Sequence, residues 1–177
     1  MTNGRDAHEV LGQAPLLALL TAEQRAAFVA RMRPIDVPAG SLLMTAEQPS
    51  EAVFVVAEGT LQVQVEQADG SLVILAFLGA GDVAGEMGPL VGAGRSATVR
   101  ALEPSRLLWL ARSEFAAQLE ALPGLAAGLA AVLARRLRQA NERIQALATL
   151  DVGARLARQL LALAADYGEP AAEGGLR

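Results

Sequence analysis

From position 35 to position 110 the chain is cut into short apolar runs by turn-forming clusters: Pro38-Ala39-Gly40, Glu58-Gly59, Ala68-Asp69-Gly70, Gly79-Ala80-Gly81 and Glu103-Pro104-Ser105. Runs this short do not reach ordinary helix length, and strands at such spacing close into a sandwich or barrel. The clearest run sets Leu61, Val63 and Val65 against Gln62, Gln64 and Glu66. That alternation predicts a half-buried antiparallel edge strand with its glutamines toward water. The segment 72–78 is its expected partner, with Ala68-Asp69-Gly70 as the hairpin loop. Further strands are expected at 42–44, 53–56, 97–102 and 106–110, a number that suits a jelly roll.

Helical periodicity flanks this stretch on both sides. Residues 15–33 carry Leu16, Leu17, Leu19, Leu20, Phe28 and Met32, and Thr21 followed by Gln24 forms the pattern of a capping box. After Ala111 the helical period returns: Ser113 is placed to cap a short helix to 122, and Pro123 to open a longer one from its first turn. In that longer helix Ala126, Ala130, Leu133, Leu137, Ala140, Ile144 and Leu147 recur at spacings of four and three, a heptad seam. Its length exceeds what a small β-domain needs for cover, which points to a parallel homodimer; the alternative is a helix docked on its own β-roll. Asp151 is the expected N-cap of a last helix to 165, with Val152, Leu156, Leu160 and Leu163 on one face. The stretch 168–175 reads as a linker.

The fold class is therefore mostly β with flanking α, a double-stranded β-helix followed by a long dimerisation helix. The expected divisions are a polar tail over 1–13, a β-roll with N-terminal helices over 14–122, the long helix over 123–150 and a further helix with linker over 151–177.

Composition narrows the chemistry. The 177 residues are 53% hydrophobic with a mean hydropathy of +0.33, which excludes global disorder. The longest uncharged runs, 10–22, 70–81 and 121–134, fall short of the ~20 apolar residues that cross a bilayer. No leader is visible at the N-terminus, so the expected location is cytoplasmic, with no membrane partner. The absence of Cys excludes disulfides, cysteine-bound zinc and iron–sulfur clusters. The lone histidine, His8, sits in the polar tail, which leaves no histidine-rich metal site. All 15 basic residues are Arg, yet the net charge is −4 and the pI near 5.1. Such a chain does not bind DNA by neutralising phosphates over its whole surface.

The densest Gly-containing stretch, 79–97, admits two readings. Gly79-x-Gly81-x-x-Ala84 fits a dinucleotide fingerprint, but that motif requires a full helix after its turn, and Gly85, Gly88, Pro89, Gly92 and Gly94 follow instead. The other reading is a compact phosphate cradle. Gly85 permits a tight turn, the residues from Glu86 to Leu90 form one short helical turn, Arg95 offers a planar charged fork and Ser96 a hydroxyl. Glu86 suits a sugar hydroxyl better than a phosphate, so the two kinds of site together suggest a nucleotide. Arg95 paired structurally with Glu86 is the alternative. Asp82 is assigned to turn amides; with no nucleophile, histidine base or metal cluster beside it, no enzyme is expected.

The string GEMGPLVGAGRSATVRA, residues 85–101, resembles the phosphate-binding cassette of cyclic-nucleotide-binding domains. Ala134-Arg135-Arg136-Leu137 and the stretch 150–161 resemble the CRP/FNR transcription regulators in particular. The resemblance covers about residues 14–167. It implies that Arg95 and Ser96 hold a cyclic phosphate, that Glu86 accepts from the ribose 2′-hydroxyl, and that Gly85 and Met87 give backbone contacts. It also implies that Val63 and Leu75 line the pocket. Cyclic-AMP-binding members read adenine with a Thr-Ser pair on the long helix; this chain has Ala140 and Asn141 there, and Asn141 is the candidate base contact. The implied effector is cyclic AMP or cyclic GMP, cyclic AMP favoured, with no cofactor required. A dimeric interaction module that has lost this ligand, or takes another such as a cyclic dinucleotide, is the alternative. Family members engage DNA through a C-terminal winged helix-turn-helix. This chain stops before one fits, so it is expected to be a piece of a longer protein or a naturally short sensor.

Overall fold

The computed structural model describes residues 11–12, 14–91 and 94–168. Residues 1–10, His8 among them, and 13 of the expected polar tail, and the Gly/Pro/Glu/Ala stretch from 169 onward, lie outside the described residues, whereas Leu11 within that tail is fully buried. The chain divides into two compact units, Met1–Val132 and Leu133–Arg177.

The first unit is a roll of two four-stranded sheets. A 3-10 turn at Pro15–Leu17 precedes α1 (Ala22–Val29). The strands β1 (Arg33–Val37), β2 (Leu42–Met44), β3 (Ala52–Glu58), β4 (Leu61–Glu66), β5 (Leu72–Leu78) and β6 (Val83–Ala84) then lead to the short helix α2 (Met87–Val91). After it come β7 (Thr98–Ala101), β8 (Ser105–Ala111), α3 (Arg112–Ala121) and the start of α4 (Pro123–Thr149). One sheet runs β1-β8-β3-β6, the other β2-β7-β4-β5, and all pairings are antiparallel. Between them Val37, Met44, Phe54, Val56, Leu61, Leu78, Ala84, Val99, Ala101 and Leu107 form the core. The mostly β fold with flanking helices is therefore the one the turn spacing predicts.

Local chemistry explains several boundaries. The Thr21 hydroxyl accepts from the Gln24 N–H while the Gln24 side chain accepts from the Thr21 N–H, a complete capping box on α1. The β4–β5 hairpin turns on Gly70 at φ 81°, with Asp69 Oδ1 accepting from the Ser71 N–H at 2.9 Å. Hydrogen bonding to the Ser71 side chain, and then to its main-chain N–H, holds the Asp69 carboxyl below the usual carboxylate range.

Three expectations are corrected. Ser113 does not cap α3: the helix opens one residue earlier, at Arg112, from an extended Ala111 that makes no side-chain cap bond. β4 is not an edge strand, because it lies between β7 and β5, and β5 forms the edge. Gln64, expected to face water, is only 6% exposed. Its side-chain Oε1 accepts from Gln62 Nε2 at 2.7 Å, so the polar face of β4 is covered at Gln64, half-covered at Gln62 and open at Glu66, and satisfies part of its own demand.

The first turns of α4 belong to this unit and bury Leu125, Leu129 and Val132. Gly128 is needed there, since a Cβ would strike the Leu16 carbonyl; one on Gly124 would stand 2.6 Å from that of Leu19. The seam residues Ala126 and Ala130 are exposed on another face.

The second unit holds the rest of α4 and α5 (Val152–Tyr167). Asp151 caps α5, its Oδ1 accepting from the Ala154 N–H at 2.8 Å. Along α4 the seam positions Leu137, Ala140, Ile144 and Leu147 are exposed, as are Val152, Leu156 and Leu160 on α5. Among the described residues no single helix is long and apolar enough to cross a membrane.

Candidate ligand-binding site

The chain leaves β5 through a turn built on Asp82, whose Oδ2 accepts from the Gly79 N–H at 3.0 Å, as the sequence suggests. It then runs through the two-residue β6 into Gly85 and α2. A two-residue antiparallel strand and a five-residue helix stand where a dinucleotide turn would need a full helix. The fingerprint reading of Gly79-x-Gly81 is thereby ruled out.

Gly85 has φ 83°, and its side-chain space is already taken. A Cβ there would overlap Arg95 Nη1 and lie 2.9 Å from the Ala52 carbonyl. Arg95 fills that space because its guanidinium turns inward, donating from Nη1 to the Gly85 carbonyl at 3.2 Å and from Nη2 to the Ala52 carbonyl at 2.8 Å. Burial pushes the Arg95 guanidinium down from its ordinary pKa, opposed by the nearby carboxylates of Glu86 and then Glu51. Arginine's reference value is so high that the group keeps its charge.

A guanidinium has five N–H donors. Two bonds to carbonyls leave three for a ligand, held in a fork of fixed direction. Such a fork has the geometry and charge to take an anion with oxygens at bidentate spacing.

The other expected site residues fall into three groups. Glu86 is 2% exposed, next to Gly85, while Met87 opens α2 at 46% exposure. Ser96 is exposed and its Oγ lies 3.6 Å from Met87 Sδ, so Ser96 and Met87 meet across the cassette. On the β4–β5 hairpin, Val63 is half-buried against the core beside Ala76. Leu75 sits at a register shift, where Val63 pairs with Ala76 but Gln64 with Ile74, and is 40% exposed. Asn141 lies apart in sequence, exposed on α4 in the second unit.

Sequence reasoning passed over Ala52, whose carbonyl holds the fork, and the loop before it. A carbonyl contact across 43 residues has no side-chain signature.

The family model described as "Cyclic nucleotide-binding domain" matches residues 34–121. A "CRP-like cAMP-activated global transcriptional regulator" of Mycobacterium tuberculosis is 27% identical over 94% of this chain and 74% of its own length. The crystal structure of the Thermus thermophilus catabolite activator protein superposes with a TM-score of 0.69 at 33% identity, covering 76% of this chain. This chain spans 63% of that structure, just under two thirds of its length. The N-terminal domain of a transcriptional regulator from Streptomyces coelicolor matches with a TM-score of 0.61 at 32% identity, over 76% of this chain and 94% of that one.

Proposed function

This chain belongs to the CRP/FNR family of cyclic-nucleotide-binding-domain proteins, and we propose that within it the chain is the effector-sensing and dimerisation part of a transcription regulator. The observation that carries this reading is Arg95, charged and oriented by the Gly85 and Ala52 carbonyls with three N–H groups to spare. A cyclic phosphate takes those donors together with the Ser96 hydroxyl. The buried Glu86 carboxylate accepts from the ribose 2′-hydroxyl, the main chain at Gly85 and Met87 borders the phosphate, and Val63 and Leu75 give apolar cover to the sugar and base. Asn141 is the candidate base contact from α4. Cyclic AMP is the favoured effector, supported by the likeness to the mycobacterial cAMP-activated regulator.

The uncovered seam supports the homodimer. Ala126, Ala130, Leu137, Ala140, Ile144 and Leu147 are exposed and Leu133 half-buried, whereas Leu125, Leu129 and Val132 are the buried side chains in the first turns of α4. Docking onto the roll therefore uses a different face from the heptad seam, and the seam remains available to a second copy. Ligand acts by differential affinity for two arrangements of the long helices, shifting their populations. The setting is the cytoplasm.

Calorimetric titration with cyclic AMP and cyclic GMP tests the reading. Binding that Arg95→Ala abolishes is the expected result. If neither nucleotide binds, the second reading takes over: a dimeric interaction module, or a cyclic-dinucleotide binder. Ala140 and Asn141 favour it, since they stand where the Thr-Ser pair reads adenine in the family.

A further inference from the structure

Arg95 is gripped from outside the cassette as well as from within it. Its main chain forms a two-way bridge with the β2–β3 loop, residues 45–51. The Glu47 N–H donates to the Arg95 carbonyl at 2.9 Å, and the Arg95 N–H donates to the Gln48 carbonyl at 2.9 Å. One residue earlier, a Cβ on Gly94 would stand 2.8 Å from the Glu47 carbonyl oxygen and 3.2 Å from that of Gln48. The two segments therefore touch backbone to backbone with no room for a side chain between them. Further along, the Ala46 N–H donates to Thr98 Oγ1 at 3.1 Å. Where the loop enters β3, the Ala52 carbonyl takes the guanidinium itself.

The loop's own conformation shows that it is held. Glu47 has φ 69°, the only positive φ on a non-glycine residue among those described. That region costs an L-residue about 1–2 kcal/mol and persists where surrounding bonds over-determine it. The bonds of Ala46, Glu47 and Gln48 to the arm at 95–98 are those surroundings.

We propose that residues 45–51 are the positioning half of the anion site. The loop fixes the place of the Arg95 main chain through Glu47 and Gln48 and leads directly into the Ala52 carbonyl that aims its fork. An anion on the spare N–H groups pulls on the same guanidinium that the Ala52 carbonyl holds, so occupancy of the site is transmitted through that bond into the loop. The proposal rests on the reading of the cassette as the ligand site, and it assigns positioning residues that the cassette motif does not contain.

Two measurements test it separately from that reading. In the ligand-free protein, hydrogen–deuterium exchange over 45–51 should quicken about tenfold in Arg95→Ala, because the tie at Ala52 is gone. Arg100→Ala, which loses an exposed bond to the Gly40 carbonyl, should leave the loop unchanged. Arg95→Lys keeps the charge without the fork and should loosen the loop too, and it decides the point if Arg95→Ala fails to fold. An unchanged loop in whichever Arg95 variant folds overturns the proposal, whether or not nucleotide binds. With ligand, saturating cyclic AMP should alter exchange over 45–51 at least threefold, and Gly94→Ala should weaken cyclic AMP binding at least tenfold. If the parent binds cyclic AMP but the loop does not respond and Gly94→Ala binds as tightly, the proposal is wrong while the ligand reading survives. If the loop loosens in Arg95→Ala but no nucleotide binds, the ligand reading has failed and the grip on Arg95 stands.

Discussion

Replacing Gly85 by Ala places a Cβ where the Arg95 guanidinium now lies, and the cost separates into two parts. The first is conformational: at φ 83° an L-residue pays about 1–2 kcal/mol over glycine. The second is displacement. The new Cβ overlaps Nη1 and stands 2.9 Å from the Ala52 carbonyl, so the two charge-assisted bonds to Gly85 and Ala52 cannot both survive. Losing one is a further loss of about 1.5–3 kcal/mol. Gly40 and Gly70 supply the control, since they have φ 77° and 81° with nothing within 4 Å of an added Cβ. Gly40→Ala and Gly70→Ala should each cost about 1–2 kcal/mol, and Gly85→Ala about 2.5–5 kcal/mol. Urea unfolding followed by the fluorescence of Trp109, the single tryptophan, reads this directly, because Trp109 lies on β8 and pairs with Phe54 on β3. Calorimetry on the same variant should show at least tenfold weaker nucleotide binding. If all three glycine substitutions cost the same within about 0.5 kcal/mol, Arg95 swings aside freely. The argument for a fixed fork then fails.

Two further substitutions probe the loop that holds the fork. Ser50 is 3% exposed and its Oγ makes no hydrogen bond, so Ser50→Ala removes a buried orphan hydroxyl and should raise stability by about 1 kcal/mol; a loss of that size in urea unfolding would show that the hydroxyl has a partner in solution. Glu47→Gly relieves a positive φ, and after the ~0.5–1 kcal/mol entropic cost of glycine it should stabilise the roll by up to about 1.5 kcal/mol. A net destabilisation would mean that the Glu47 side chain, not its backbone, holds the loop.

The roll was readable because its strands are short, apolar and bounded by turn residues. β5 has the expected limits, while β3 and β8 run one or two residues beyond their expected ends. Two strands escaped notice for reasons that follow from their place. β1 reads Arg-Pro-Ile-Asp-Val, with four of its five residues exposed, and it lies at the outer edge of its sheet. An edge strand tolerates Pro34 and charges that a central one excludes, and they hide its period. β6 is two residues long, too short for any period. The burial of Gln64 was illegible because alternation predicts which residues share a face, not whether that face is covered.

The candidate site divides along the same line. Gly85, Glu86, Arg95 and Ser96 lie within a dozen positions of one another, so their spacing carries the chemistry in the sequence itself. What aims Arg95 arrives from residues 45–52, through carbonyls and N–H groups that every residue type possesses. Glu47 occupies a left-handed conformation without the glycine that would have announced it. It follows that the two halves answer differently to substitution. Changes at Arg95 or Ser96 remove a donor, whereas in the loop what must be kept is the backbone path at Glu47, Gln48 and Ala52, with the Glu51 carboxylate near the guanidinium. Gly94 is the exception that joins the halves, because its missing side chain is what lets the loop's carbonyls approach.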